Sequence, residues 1–257
     1  MERIYMRNDR LLEMEKVIGQ SGTISMTELC DLFNVSMNTV RRDVAELRRR
    51  GDVEKVYGGV CAVENNGGVL RPFTERQTIA DAAKRAICRE AAKLLEDGDV
   101  VFVDSGTTMV HLVDNLANRQ ELTIITNNLA LVQQAIPYDN LRMIVLPGQL
   151  RRKTNSLTGM ETVRALRQYN IRKAFLAATG STLTGVTNSS PQEYEIKRTA
   201  LECSGERILL LCKQKFGHAG LMTYADFQDF HYIVTDQPLD APYAEAVKRA
   251  GATVLTP

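Results

Sequence analysis

"FNVSMNTVRRDVAELRRRG", Phe33 to Gly51, places five arginines on one short helical pattern. The chain around it is close to neutral, with a net charge of +1 over 257 residues. At about 100° per residue, Val40, Val44 and Leu47 share one face and Met37 lies beside them. Asn38, Arg42, Ala45 and Arg49 take the opposite face, with Arg41 and Arg48 on one flank. Residues 41–50 set five arginines against Asp43 and Glu46, a local net of +3, while residues 1–62 balance at ten basic and ten acidic. Charge is therefore focused, beyond what an ordinary solvated amphipathic helix requires. The first turn, Ser-Met-Asn-Thr, holds no acid, although the positive end of a helix favours one.

Working outward, Ser25-Met26-Thr27-Glu28 reads as a capping box. It opens a helix carrying Leu29, Leu32 and Phe33. Asn34-Val35 turns the chain, and Ser36 caps the arginine helix, which ends at Gly51. Before the box, Leu11, Leu12, Glu15, Val17 and Ile18 form an imperfect helical stripe from Asn8 to about Gln20, and "TIS" is a short extended piece. After Gly51, "DVEKVYGGVCAV" alternates around Gly58-Gly59 as a hairpin does. Residues 1–62 thus read as a winged helix-turn-helix domain. In that motif the second helix enters the major groove with its first residues at the base edges. Short neutral donors and acceptors belong there, which accounts for the missing acids. Asn38 suits adenine, and Arg42 suits bidentate pairing with guanine. Ser36, Thr39 and Arg41 suit phosphates. Arg49 extends the basic face, and Lys55 and Tyr57 suit backbone contacts from the wing. A double-stranded DNA operator is the expected partner.

"VENNGGVLRPFT", residues 63–74, reads as a linker. From residue 75 to 257, a long Ala-rich helical pattern ending at Gly98 precedes short apolar runs alternating with helical patterns: "VVFVD", "LTIIT", "RMIVLPG", "KAFLAAT", "RILLLC", "YIVTD" and "ATVLT". Such alternation predicts an α/β domain with an open, largely parallel sheet. Apolar content of 44 % and charge of 25 % fit a packed globular chain. Cys30, Cys61, Cys88, Cys203 and Cys212 are odd in number and form no C-x-x-C pair, which argues against a disulfide framework or structural zinc. His111, His218 and His231 lack ligand spacing, so neither metal nor cofactor is expected. No apolar signal region and no span of about 20 apolar residues appears. The expectation is a cytoplasmic protein without membrane contact.

"VSMNTVRRDVAELRRRGDVEKVYGGV" resembles the signature of the DeoR family of bacterial transcriptional regulators. "EDGDVVFVDSGTT", "IITNN", "VLPGQLRRKTNSLTG", "KAFLAATG" and "KFG…VTD" come after it in the family's order. The resemblance covers nearly the whole chain. It implies an N-terminal winged helix and a C-terminal sensor with a sugar-phosphate isomerase-like fold. It also implies a phosphorylated sugar as effector and repression of a catabolic operon. "VEKVYGGV" and "KAFLAATGSTLTGVTNSSPQEYEIKR" resemble the inositol-catabolism repressors of bacilli within that family. That implies an inositol-derived effector, 2-deoxy-5-keto-gluconate 6-phosphate. Two departures stand out. The family's D-x-S-K is Cys212-Lys213-Gln214-Lys215 here, and its Gly-Gly after the third strand is Pro147-Gly148-Gln149. Both put the inherited ligand in question.

Asp104, Ser105, Gly106, Thr107 and Thr108 read as a strand end, a turn and the first turn of a helix. Amides, hydroxyls and a helix dipole would favour an anion there, although an ordinary capped βα turn explains the same residues. Other strand ends add Thr126, Asn127 and Asn128, then Gly148, Arg152 and Lys153, then Gly180, then Lys215. In open α/β sheets ligands sit outside the carboxyl ends of the strands. Converging amides, hydroxyls and cations suit a polyol phosphate. For Arg152 and Lys153 a plain surface role serves as well. One rival is an isomerase-like enzyme using Glu193 or Glu195 as base and Lys215 as electrophile. Another is a DNA-binding protein with no small ligand, whose α/β domain only assembles it. The favoured reading is a non-enzymatic regulator, homo-oligomeric because paired operator half-sites need paired recognition helices.

Overall fold

The computed structural model describes residues 7–21, 23–50, 53–56, 59–62 and 72–257. The chain divides into two compact units, Met1–Asn66 and Gly67–Pro257.

In the first unit, α1 spans Arg7–Ser21, β1 Thr23–Ile24, α2 Met26–Phe33, α3 Met37–Arg50, β2 Val53–Val56 and β3 Gly59–Ala62. The Ser25 hydroxyl accepts the Glu28 amide at 3.1 Å and the Glu28 carboxylate accepts the Ser25 amide at 2.8 Å, the reciprocal bonds of a capping box. Asn34 ends α2 in the left-handed conformation at φ 49°, a conformation that Asn tolerates better than most residues. The Ser36 hydroxyl accepts the Thr39 amide at 3.2 Å and opens α3. Strands β2 and β3 pair antiparallel, and β1 joins β3, giving a sheet in the order β1-β3-β2. Leu11, Met14, Ile18, Leu29, Val40, Val44, Leu47, Val53 and Val60 form one core under three helices and the wing. The linker stretch 63–71 and Tyr57 lie outside the described residues.

The second unit opens with α4 (Phe73–Thr78) and α5 (Asp81–Ala91). One unbroken helix was expected here; the chain breaks at Ile79–Ala80, where Ala80 sits at φ 55°. Then come β4 (Val100–Val103), β5 (Leu122–Thr126), α6 (Leu129–Ala135), β6 (Leu141–Val145), β7 (Gln149–Arg151), β8 (Ser156–Thr158), α7 (Met160–Leu166) and β9 (Ile171–Ala177). β10 (Gly180–Thr182), β11 (Gly185–Asn188), α8 (Pro191–Cys203), β12 (Ser204–Leu210), β13 (Met222–Ala225), β14 (Tyr232–Val234), α9 (Ala241–Arg249) and β15 (Thr253–Leu255) complete it.

All seven apolar runs enter one sheet of order β15-β14-β12-β9-β4-β5-β6, and every neighbouring pair is parallel. Alternate residues feed opposite faces. Val101, Val103, Ile124, Ile208 and Val234 pack with Ile87, Leu112 and Leu131 on one side. Phe102, Ile125, Leu176, Leu209 and Ile233 pack with Val163, Ile196 and Val247 on the other. The result is helix, sheet, helix in three layers. From central β4 the chain runs outward through β5 and β6, then returns to β9 on the other side of β4 and continues outward that way. The β4–β9 boundary is thus the topological switch point, where open α/β sheets present their ligand crevice.

Candidate nucleic-acid interface and effector site

On α3, Val40, Val44 and Leu47 are fully buried, while Asn38, Arg41, Arg42 and Arg48 are exposed. Lys55 is exposed on β2. Ser36 and Thr39 also bond each other through their hydroxyls at 2.9 Å. Arg49 belongs to α3, but its side chain lies outside the described part, as does Tyr57. Sequence reasoning counted Asp43 only as an offset to the arginines. In the structure it is buried, and Arg10 Nε donates to its Oδ2 at 2.6 Å, fastening α1 to α3. One of the helix's two acids is therefore matched inside the domain, and the outward face stays basic.

In the second unit, the first strand-end residue sits at the switch point. The Asp104 amide bonds the Phe175 carbonyl at 3.0 Å, and Asp104 Oδ2 accepts the Ala177 amide at 2.9 Å. Lys197 Nζ donates to the same Oδ2 and to the Ala177 carbonyl, and lies 5.4 Å above the Tyr224 ring. Asp104 therefore joins β4, β9 and α8. Gly106 is required by packing, because a Cβ there would come within 2.5 Å of the Ala177 Cβ. Ser105, Thr107 and Thr108 are buried in the turn. The turn leads into a 3₁₀ helix, Met109–Asn115, where an α-helix was expected.

Thr126 Oγ1 donates to the Val103 carbonyl at 2.5 Å. Asn128 caps α6 with its Oδ1 and reaches the Asp104 and Gly106 carbonyls with its Nδ2, at 3.2 and 3.3 Å. Both residues brace the crevice loops. Asn127 donates to the Leu157 carbonyl at 3.0 Å, and its Oδ1 is buried with no hydrogen-bond partner among the described residues. Gly148 (φ 154°) and Gly180 serve close approach: an added Cβ would meet Thr162 Oγ1 at 2.4 Å and the His218 carbonyl at 2.3 Å. Arg152 is exposed and Lys153 half-buried in the turn between β7 and β8. Lys215 Nζ donates to the Ala178 carbonyl at 3.0 Å, just past β9. Cys212 is buried, and burial raises its thiol pKa.

Sequence reasoning did not name Arg76, Lys84, Ser156 or Lys197 in this crevice and raised Glu193 only while weighing the enzyme reading. Glu193 is buried, and its Oε1 accepts Ser105 Oγ at 2.6 Å and Ser156 Oγ at 2.7 Å. Lys84 is buried and donates to the Arg76 and Gln77 carbonyls. Lys84 feels Lys215 and Arg76, Lys215 feels Arg76 and Lys197, and Arg76 feels Glu193. Burial is the first cause of each cation's shift. It lowers Arg76 and Lys215, and brings Lys84 down to about 8, where Lys215 adds to the effect. Arg76, Lys84, Lys197 and Lys215 thus share one electrostatic group with three carboxylates, Asp81, Asp104 and Glu193. A signal was present in the sequence. Lys84 falls on the stripe Lys84-Ile87-Cys88-Ala91, and Glu193 and Lys197 fall on Glu193-Ile196-Lys197-Ala200. Charged residues on a core stripe are rarely fully buried unless they are paired.

Residues 10–66 match the DeoR-like helix-turn-helix domain, and residues 79–237 match the DeoR C terminal sensor domain. The chain belongs to the DeoR family. It is 45 % identical to the HTH-type transcriptional regulator IolR of Bacillus subtilis, over 92 % of this chain and 94 % of that protein. It is 32 % identical to the lactose phosphotransferase system repressor of Staphylococcus epidermidis, over 89 % and 91 %. Among solved structures, a D-ribose-5-phosphate isomerase in complex with phospho-erythronic acid overlaps 53 % of this chain and 54 % of that one, at 15 % identity and a TM-score of 0.40. As a DeoR-family member the chain is a DNA-binding transcriptional regulator of the repressor type and not an enzyme. Among the described residues, no helix is long and apolar enough to cross a membrane.

Proposed function

We propose that this DeoR-family repressor is released from its operator by a phosphorylated, hydroxyl-bearing small molecule held at the β4–β9 switch point. One observation carries the reading: four cations, Arg76, Lys84, Lys197 and Lys215, outnumber the carboxylates Asp81, Asp104 and Glu193 grouped with them beside Ser105. A phosphate dianion would offset the excess positive charge. Ligand hydroxyls would find Glu193, Ser105 and Asn127 Oδ1 nearby. Thr107, Thr108 and Lys215 complete the phosphate-facing set, with Arg152 and Lys153 of the β7–β8 turn as further candidates.

On the DNA side, Asn38 and Arg42 read bases, and Ser36, Thr39, Arg41, Arg49, Lys55 and Tyr57 hold the backbone. The division of labour is residues 1–62 for DNA, 63–74 as linker and 75–257 for sensing and self-association. The resemblance to inositol-catabolism repressors makes 2-deoxy-5-keto-gluconate 6-phosphate the first effector to try. Titrating it into the protein bound to a fluorescent operator duplex tests the reading. Release by the phosphate, and none by its dephosphorylated partner, is expected. Equal behaviour of the two would overturn it.

A further inference from the structure

The segment 73–91, "FTERQTIADAAKRAICREA", contains neither Gly nor Pro and reads as one helix, yet it is bent at Ile79–Ala80. Ile79 is extended (φ −73°, ψ 127°), and Ala80 is left-handed (φ 55°, ψ 38°) with no side-chain cap for α5. A left-handed Ala puts its Cβ against the following carbonyl. Something must hold the bend. The last carbonyls of α4, which a continuing helix would satisfy, are taken by side chains instead. Thr78 Oγ1 donates to the Glu75 carbonyl, and Lys84 Nζ donates to the Arg76 and Gln77 carbonyls.

The two shapes cannot share these contacts. In a straight helix, Lys84 and Arg76 would be eight residues apart, about 12 Å along the axis. Lys84 could not reach the Arg76 carbonyl, and Arg76 would leave the charge cluster it shares with Glu193 and Lys215. Because Ile87, Cys88 and Ala91 anchor α5 in the core, straightening would move α4. In sequence, α4 directly follows the stretch that connects the DNA-binding unit to the sensor.

We infer that the bend at Ala80 is the element through which the effector site controls DNA binding. The bent form gathers Arg76 and Lys84 for the effector's phosphate; the straight form, in which α4 continues into α5, is the form that holds DNA. The inference rests on the proposed phosphate site and adds its regulation. A phosphate bound between Arg76 and Lys84 favours the bent form alone, which is the differential affinity a switch needs. DNA must weaken phosphate binding by the same factor.

The test uses the intact protein, 2-deoxy-5-keto-gluconate 6-phosphate as effector, and a duplex selected by the wild-type protein from a random library. Ala80→Gly enters the left-handed region without the Cβ penalty. It should weaken duplex binding and tighten effector binding, the two factors multiplying to roughly fivefold with most of the change in duplex binding. Ala80→Val resists that region more strongly and should do the reverse, binding duplex in the presence of effector that releases the wild type. If both Ala80 variants match the wild type in both affinities while Lys84→Met loses the effector, the phosphate site stands and the switch is wrong. If the wild type fails to bind this phosphate and every other sugar phosphate tried, the phosphate site falls and the switch falls with it.

Discussion

Ser105 Oγ donates to Glu193 Oε1 at 2.6 Å, joining the turn after β4 to the first turn of α8 across 88 residues of sequence. Ser156 adds a second bond to the same oxygen at 2.7 Å. The carboxylate is buried, so these hydroxyls do the work that water would do. Replacing both serines with alanine should leave Glu193 short of donors and cost about 1–3 kcal/mol, read as a lower urea midpoint. Restoring the midpoint by adding Glu193→Leu would confirm the cause. An unchanged midpoint in the double alanine variant would show that the carboxylate is satisfied elsewhere.

Arg42 is exposed on the outer face of α3. Arg42→Ala should weaken operator binding by about 1–3 kcal/mol and relax preference at one base pair. Competition binding against single-base operator variants measures both. A uniform loss over all sequences would make Arg42 a phosphate contact.

Arg10 and Asp43 hold α3 in place from within. Arg10→Met would leave the Asp43 carboxylate buried without its cation, at a cost of about 3 kcal/mol. The expected result is loss of amide-exchange protection in α3 and of operator binding, with effector binding to the sensor intact. Preserved protection in α3 would show that the hydrophobic face alone fixes the helix.

Lys84 gives the effector site a pH dependence of known sign. Burial and Lys215 bring its pKa down to about 8, while Cys212 and Asp81 act in the opposite direction and Arg76 adds to the lowering. An anion binds the protonated amine and raises its pKa again. Effector affinity should therefore hold between pH 7 and about 8, then fall as Lys84 loses its proton, by about tenfold per pH unit until the bound-state pKa is reached. The same group affects folding. Its folded pKa lies below the ordinary lysine value, so the unfolded chain binds more protons between about 8 and 10.5, and stability contributed by this group rises with pH there. Calorimetric titration at pH 7, 8 and 9 tests the binding half. Lys84→Arg, which keeps its charge through this range, should bind effector without the slope; a slope that survives belongs to another group.

Most of the fold was legible in the sequence. The Ser25 box, the Ser36 cap and the Val40-Val44-Leu47 face announced the helix-turn-helix locally, and each apolar run became a strand of the parallel sheet. Local patterns failed where tertiary contacts decide. Nothing in "TERQTIADAAKR" marks a bend, because Lys84 supplies the competing hydrogen bonds only once the chain has folded back. The turn at Ser105 read equally well as an anion site or an ordinary capped turn; the helix after it is 3₁₀, and the buried cations Arg76, Lys84 and Lys197 come from α4, α5 and α8. Several predicted contacts, notably Asp104, Asn128 and Gly180, are engaged in bracing the loops. Lys84 and Lys197 were visible only as charged residues on core stripes, and Glu193 was raised only within the enzyme reading.

The most direct measurement is the thermal stability of the intact protein against paired ligands, each sugar phosphate beside its dephosphorylated partner. A ligand at 100 times its Kd adds about 2.7 kcal/mol to stability. A phosphate-responsive sensor should show a rise in Tm with at least one phosphate, none with its partner, and loss of that rise in Lys84→Met. A flat response to every phosphate, or equal shifts from phosphate and partner, would contradict a phosphate site at the β4–β9 crevice.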